Sequence, residues 1–311
     1  MSIKRFRDTR TIAPFIFIMP AVIILVVGLI IPVMYAGYLS FFDWDMGTPW
    51  ETARFLGLDN YHRMLTDVGV RSSIMVTLRY TFWTTTLEMI LGILFALALE
   101  KPIRGASIFR TIFILPLMVS PIVVGLMWKY MLDARTGVIN YYIEAIGNAI
   151  PFLQNHGFVR HAFLGDPNLA LRALIVTDIW QWTPFIFIII LAGLQALPSE
   201  SIEAAYVDGA NWWQVTWYVK LPMILPLIIV TLLMRIIDVF RALEVIFVMT
   251  FGGPGRTTEV LSLKIYKTAF TSQDLGYASV ISVILISITF VLSIGILIYH
   301  NPTKAAEGHK S

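Results

Sequence analysis

The sequence predicts an all-α, polytopic membrane protein with six transmembrane helices, and three observations predict it. First, the 311 residues are 57% hydrophobic and only 14% charged, with a mean hydropathy of +0.75. Soluble domains run to about 45–50% apolar and about 25% charged, and a disordered chain would be polar and strongly charged. Second, no charge interrupts Thr11 to Phe42. That run is longer than the apolar core of a secretory leader, about 7–15 residues, so it reads as an uncleaved first span. Third, five more apolar stretches follow. Each is long enough for a hydrocarbon core of about 30 Å, which takes about 20 helical residues.

The six expected spans are about 12–40, 76–99, 109–131, 170–197, 221–249 and 275–299, in one membrane domain covering 1–311. Inside a bilayer the backbone must satisfy its own hydrogen bonds, so the spans are helices. The short alternating segments of a β-barrel are not visible.

Orientation follows from Lys and Arg. Lys4, Arg5, Arg7 and Arg10 precede span one, Lys101, Arg104 and Arg110 fill the turn after span two, and Lys304 and Lys310 lie in the tail. The positive-inside rule makes both termini cytoplasmic. The opposite face carries Asp43, Asp45, Glu51, Asp59 and Asp67, diluted by Arg54, Arg63 and Arg71. Stretches 43–75 and 132–168 read as long external loops. The net charge of +3 and pI near 9.0 reflect this loop placement rather than nucleic-acid binding. Leu115-Pro116 with Pro121, and Leu221-Pro222 with Pro226, read as the starts of spans three and five, since proline suits the first helical turn.

The inner-face segment 198–222 is neither short nor strongly basic. Ser199 is a candidate N-cap, and Glu200 and Glu203 suit the positive end of a helix. Asp208-Gly209 supplies a stop, with Gly209 left-handed. Ala204 and Ala205 keep the surface of this short helix low. Such an element can enter a cleft on another protein or, with Trp212, Trp213 and Trp217 nearby, lie on lipid headgroups. Both readings stand on physics alone.

Glu203-Ala204-Ala205, Gly209 and Val219-Lys220-Leu221-Pro222 resemble the "EAA" motif of ABC importer permeases, with valine where isoleucine is usual. Further resemblance lies in Leu56 to Tyr61, Arg104-Gly105 with Arg110-Thr111, Leu115-Pro116 with Ser120-Pro121, Thr250 to Gly255, and Gly276 to Ser279. These are similar to the carbohydrate branch: maltose, trehalose and glycerol-phosphate permeases. The resemblance implies that 198–222 forms a cytoplasmic coupling helix seated in a groove of a separate ATPase. Glu203 would pair with a basic residue there, while Ala204, Ala205, Asp208 and Gly209 shape the contact. It also implies a second related permease, a cytoplasmic ATPase dimer that binds ATP and Mg, and a periplasmic or extracellular solute-binding protein touching 43–75 and 250–272, with this chain in the bacterial inner (plasma) membrane. This chain has no Gly-Lys-Ser/Thr phosphate loop, so it is expected to bind no cofactor and catalyse no reaction.

Polar groups at membrane depth mark function or a specific partner. Arg235, Asp238, Arg241 and Glu244 recur every three residues with alternating sign, and such neighbours can touch on one helix. Mutual pairing and substrate contact both remain open for them. Glu244 falls where the family often carries an acid. Asp178 and Glu88 are more solitary, and read as hydrogen-bonded to neighbouring helices. Trp180, Gln181, Trp182, Thr183 and Phe185 surround Pro184, which frees a carbonyl and favours a kink. Rings and amides there suit a sugar and are taken, with Asp238 and Arg241, as the substrate pathway. An ion-driven secondary transporter using Asp178 and Asp238 as proton carriers is the alternative. Metal ligation by the histidines, His156 and His161 included, is not expected.

Overall fold

The computed structural model describes residues 17–100, 105–150, 152 and 158–299. The basic residues that set the orientation, apart from Arg110, lie outside them. Five helices are long and apolar enough to cross a membrane, or six if one bent pair forms a single span. The chain divides into two compact units.

One unit comprises the described residues to Asp67 together with Ile265–Ile284. Helix α1, Phe17–Leu39, has none of its apolar window buried and contains a π turn at Val26–Ile30. After it, β1 (Phe42–Asp43) and β2 (Arg54–Phe55) pair antiparallel, Phe42 opposite Phe55, and α2 follows at Asp59–Thr66. The stretch expected as a loop is therefore structured. Asn60 Nδ2 donates to Phe42 O at 2.9 Å, Arg63 pairs with Asp274 at 2.8 Å, and Tyr277 donates to Asp67 at 2.8 Å. Two sequence motifs, 56–61 and 276–279, thus form one packed joint, and a Cβ on Gly276 would collide with Phe42 O.

The other unit holds Val68–Lys264 and the chain from Leu285. Helix α3, Val68–Ala98, begins eight residues earlier than expected. Arg71 interrupted the apolar signal of that first stretch, but an exposed helical face accepts it. It packs along α7, Pro167–Gln195. Gly92 allows the close approach: a Cβ there would lie 2.6 Å from Ile186 Cγ2. Met89, Ala96, Ile186, Phe187, Ile190 and Leu194 fill the shared core, and Phe113 meets Phe187 edge-on at 5.2 Å.

The third span is not one rod. Helix α4 (Ala106–Ile114) runs into a 3₁₀ turn at Leu115–Met118, then the chain bends by 98° before α5, Pro121–Met131. Ser120 precedes a proline, which disfavours the helical region, and its ψ of 137° marks the break. So Pro121 opens a helix as expected, while Leu115-Pro116 opens the 3₁₀ turn inside the bent pair rather than the span itself. Helix α6, Val138–Ala149, occupies part of the expected loop 132–168.

Helix α8, Ser199–Val207, precedes α9, Trp212–Val215, whose Asn211 and Gln214 form a capping box. A π turn, Thr216–Lys220, leads into α10, Leu221–Phe240. The fifth span thus starts near Trp212, and Pro226 lies inside it. Helix α11, Glu244–Met249, sits against α5 where Gly125 meets Val245. Then come α12 (Leu261–Tyr266), a π turn at Lys267–Thr271 and α13 (Leu275–Tyr299).

Candidate functional site

Two regions of the larger unit bear on function: a polar cleft among the spans and the exposed helix α8. In the first, Arg235 on α10 is buried and acts as a hub. Its Nε and Nη2 donate to the two oxygens of Glu88 on α3, each at 2.8 Å, a bidentate fork that fixes geometry as well as charge. Nη2 also reaches Asp178 on α7 at 3.2 Å, and Nη1 reaches Asp238 at 2.8 Å. One guanidinium thus ties three spans together, as an arginine's five donors permit. Glu88 and Asp178 are bonded to a neighbouring helix as expected; that both meet one arginine from separate helices is a long-range pairing invisible along the chain.

Asp238 turns its other oxygen to Arg241 at 3.3 Å. The alternating ladder therefore holds for three members. It stops at Glu244, because α10 ends at Phe240 and a break over 241–243 separates the two. Glu244 is exposed and no side chain among the described residues pairs with its carboxylate. The two arginines of the ladder face different surroundings: the Arg235 side chain is 2% exposed and that of Arg241 70%.

These groups border a cleft of about 350 Å³ lined by Pro121, Asp178, Trp182, Arg235, Asp238 and Arg241, and by the 242–245 backbone turn. Trp182 receives the Arg235 guanidinium 4.7 Å from its ring centre, a cation–π contact. Discontinuous helices contribute two of the walls: Pro121 at the start of α5 and the break between α10 and α11.

The remaining residues around Pro184 are dispersed. Gln181 is buried and donates from Nε2 to Val119 O, in the bend of the third span, at 3.0 Å; sequence gave no sign of that partner. Thr183 donates to Ile179 O at 2.6 Å. Trp180 packs edge-on against Trp128 at 5.8 Å, and Phe185 joins the α3–α7 core. Of this run only Trp182 borders the cleft, together with Asp238 and Arg241. Helix α7 continues through Pro184 without a break.

Helix α8 contrasts with this. Ser199 is its first residue rather than its cap; Pro198 holds the cap position and no side chain caps the start. Gly209 is left-handed, with φ of +84°. Ala210 N donates to Ala205 O at 3.0 Å and Gly209 N to Tyr206 O at 3.1 Å, a Schellman stop. Glu203, Ala204, Asp208 and Gly209 are exposed and Ala205 half-buried, and among the described residues no side chain pairs with Glu203. Behind it Lys220 is buried and donates to both oxygens of Glu100 at 2.6 and 2.8 Å. Sequence reading missed Glu100, which stands beyond the apolar end of span two.

Residues 88–303 match the family described as binding-protein-dependent transport system inner membrane component. This chain belongs to that family. Among similar proteins, the probable ABC transporter permease protein y4oQ of Sinorhizobium fredii is 37% identical over 94% of this chain and 91% of its own length. The trehalose/maltose transport system permease protein MalF of Thermococcus litoralis is 33% identical over 92% of this chain and 91% of its own. A chain from the crystal structure of a bacterial alginate ABC transporter in complex with an alginate pentasaccharide-bound periplasmic protein shares the fold. Its TM-score is 0.81 at 21% identity, covering 96% of this chain and 97% of that one. The chain is thus a multi-pass membrane permease, a transport component and not an enzyme.

Proposed function

We infer that this permease carries a sugar or sugar derivative inward through an ATP-binding-cassette importer, driven by a separate ATPase that binds the ATP and Mg. The observation that carries the coupling is α8: a nine-residue helix with an exposed, unpaired Glu203 and small neighbours. A carboxylate without a partner among the described residues is complementary to a basic groove elsewhere. Ala204, Ala205 and Gly209 admit close backbone approach, and Asp208 ends the helix at the contact. ATP-driven closure of the ATPase dimer draws such helices together and alternates access to the cleft. A second, related permease completes the pathway, and an external binding protein delivers substrate to 43–75 and 250–272.

The sugar assignment draws support from relatives named for trehalose, maltose and multiple-sugar transport. The cleft suits it, offering the Trp182 ring for an apolar sugar face and Asp238 and Arg241 for hydroxyls. Asp178 and Asp238 already bond Arg235, which favours this reading over proton carriage by free acids. The basic residues flanking the first span and following the second support cytoplasmic termini.

The chain has no cysteine, so a Glu203→Cys or Asp208→Cys variant carries a single crosslinking site. Crosslinks to a co-expressed ATPase are expected. Crosslinks to phospholipid alone, or uptake by liposomes lacking an ATPase, would overturn the assignment.

A further inference from the structure

Helices α3 and α10 are joined at two levels. In the cleft Glu88 holds Arg235. At the end nearest α8, Glu100, just past the end of α3, holds Lys220 at the foot of α10. The partners run in opposite order along the chain, so the two helices are antiparallel. At 1.5 Å of rise per helical residue the two pairs stand on the order of 20 Å apart. Two ionic crosspieces at that separation prevent both sliding and rotation of one helix against the other.

We propose that Glu100 and Lys220 are positioning residues which make α3 follow α8, so that movement imposed on the docking helix reaches the cleft along two helices instead of one. The covalent route runs from α8 through the Gly209 turn and the continuous segment Trp212–Phe240 to Arg235 and Asp238. The non-covalent route runs through Lys220, Glu100 and α3 to Glu88. Both end on the same guanidinium. Without the lower pair, α10 would pull Arg235 against a stationary Glu88. With it, the Glu88–Arg235 contact travels intact and the cleft changes shape as a unit.

Three observations support this role. The side chains of Lys220 and Glu100 are only 3% and 14% exposed, so water competes little for the contact. Lys220 ends a π turn, Thr216–Lys220, an element found often at functional sites. The same end of α3 is gripped a second time, by Arg110 Nη2 donating to Leu99 O at 2.6 Å, which anchors it to α4.

The inference rests on α8 docking to an ATPase. That premise is checked first, on the unaltered complex: if no ATPase co-purifies, the importer assignment fails and the pair is not at issue. In the reconstituted complex, Glu100→Gln, outside the docking segment, should leave ATPase association and basal ATP hydrolysis in place; Lys220→Met is read only by substrate moved per ATP. Substrate moved per ATP should fall about tenfold, within the range for coupled sites. The exchange Glu100→Lys with Lys220→Glu should recover most of it. A clamp that only stabilises the fold would lower yield and leave the transport-to-ATP ratio unchanged, and that result overturns the proposal. Losses in the Gln/Met double variant equal to the product of the single losses would also overturn it, since that shows no coupling. Should the single variants fail to accumulate, the exchanged pair decides alone. A normal ratio supports the proposal, and accumulation with an uncoupled ratio refutes it.

Discussion

The Arg235 cluster and helix α8 use charge in opposite ways. In the cluster, Arg235 meets Glu88, Asp178 and Asp238 inside one chain, and the buried polar atoms find their partners there. On α8, Glu203 is exposed and has no side-chain partner among the described residues. Burial makes the difference. A charge at membrane depth must be compensated by its own protein, whereas an exposed one can wait for another subunit.

Breaking the cluster should have the largest effect. Arg235→Ala leaves Glu88 and Asp178 buried without a cation, a loss of about 3–5 kcal/mol. Little folded protein should reach the membrane, as read by thermal unfolding in detergent. Normal yield and melting would refute the hub. Glu203→Ala sharpens the contrast: unfolding should stay unchanged while ATPase association weakens by up to about 2–5 kcal/mol, measured by co-purification and titration. A destabilised fold with full association would reverse the two assignments.

Gln181→Ala ranks next. Removing its amide leaves Val119 O without that donor, for about 1–3 kcal/mol, and transport should fall more than ATPase binding does. Parallel loss of both would mean general damage. The smallest effect belongs to Asp133, between α5 and α6. Backbone N–H groups of Thr136 and Arg135 hold its carboxyl below the ordinary aspartate range. Since the folded form favours the ionised acid, its contribution is present at neutral pH and vanishes as pH drops through the lowered value. The melting difference between wild type and Asp133→Asn should close in acid, and a gap that widens there would refute the contact.

Much of this comparison was legible in sequence because apolar length and local spacing carry it. The stretch from Thr11 to Phe42 announced a span, and Asp208-Gly209 announced a left-handed stop. What stayed hidden depends on direction rather than hydrophobicity. The run 109–131 is apolar enough to read as one rod, yet at Ser120-Pro121 the chain turns by 98°. Arg71 disguised eight helical residues, and the Arg235–Glu88 fork joins positions separated by 147 residues. Spacing placed Arg235 beside Asp238 and Arg241 correctly, then failed at Glu244 where the helix ended.

The elbow at Val119 has a mechanical corollary. A side-chain amide from α7, 62 positions away, stands in for the peptide donor that a straight rod would have supplied. Displacing α7 by more than a bond length leaves that part-buried carbonyl without its amide donor. The bend and α7 are therefore obliged to shift in concert, or else to find the oxygen a new companion.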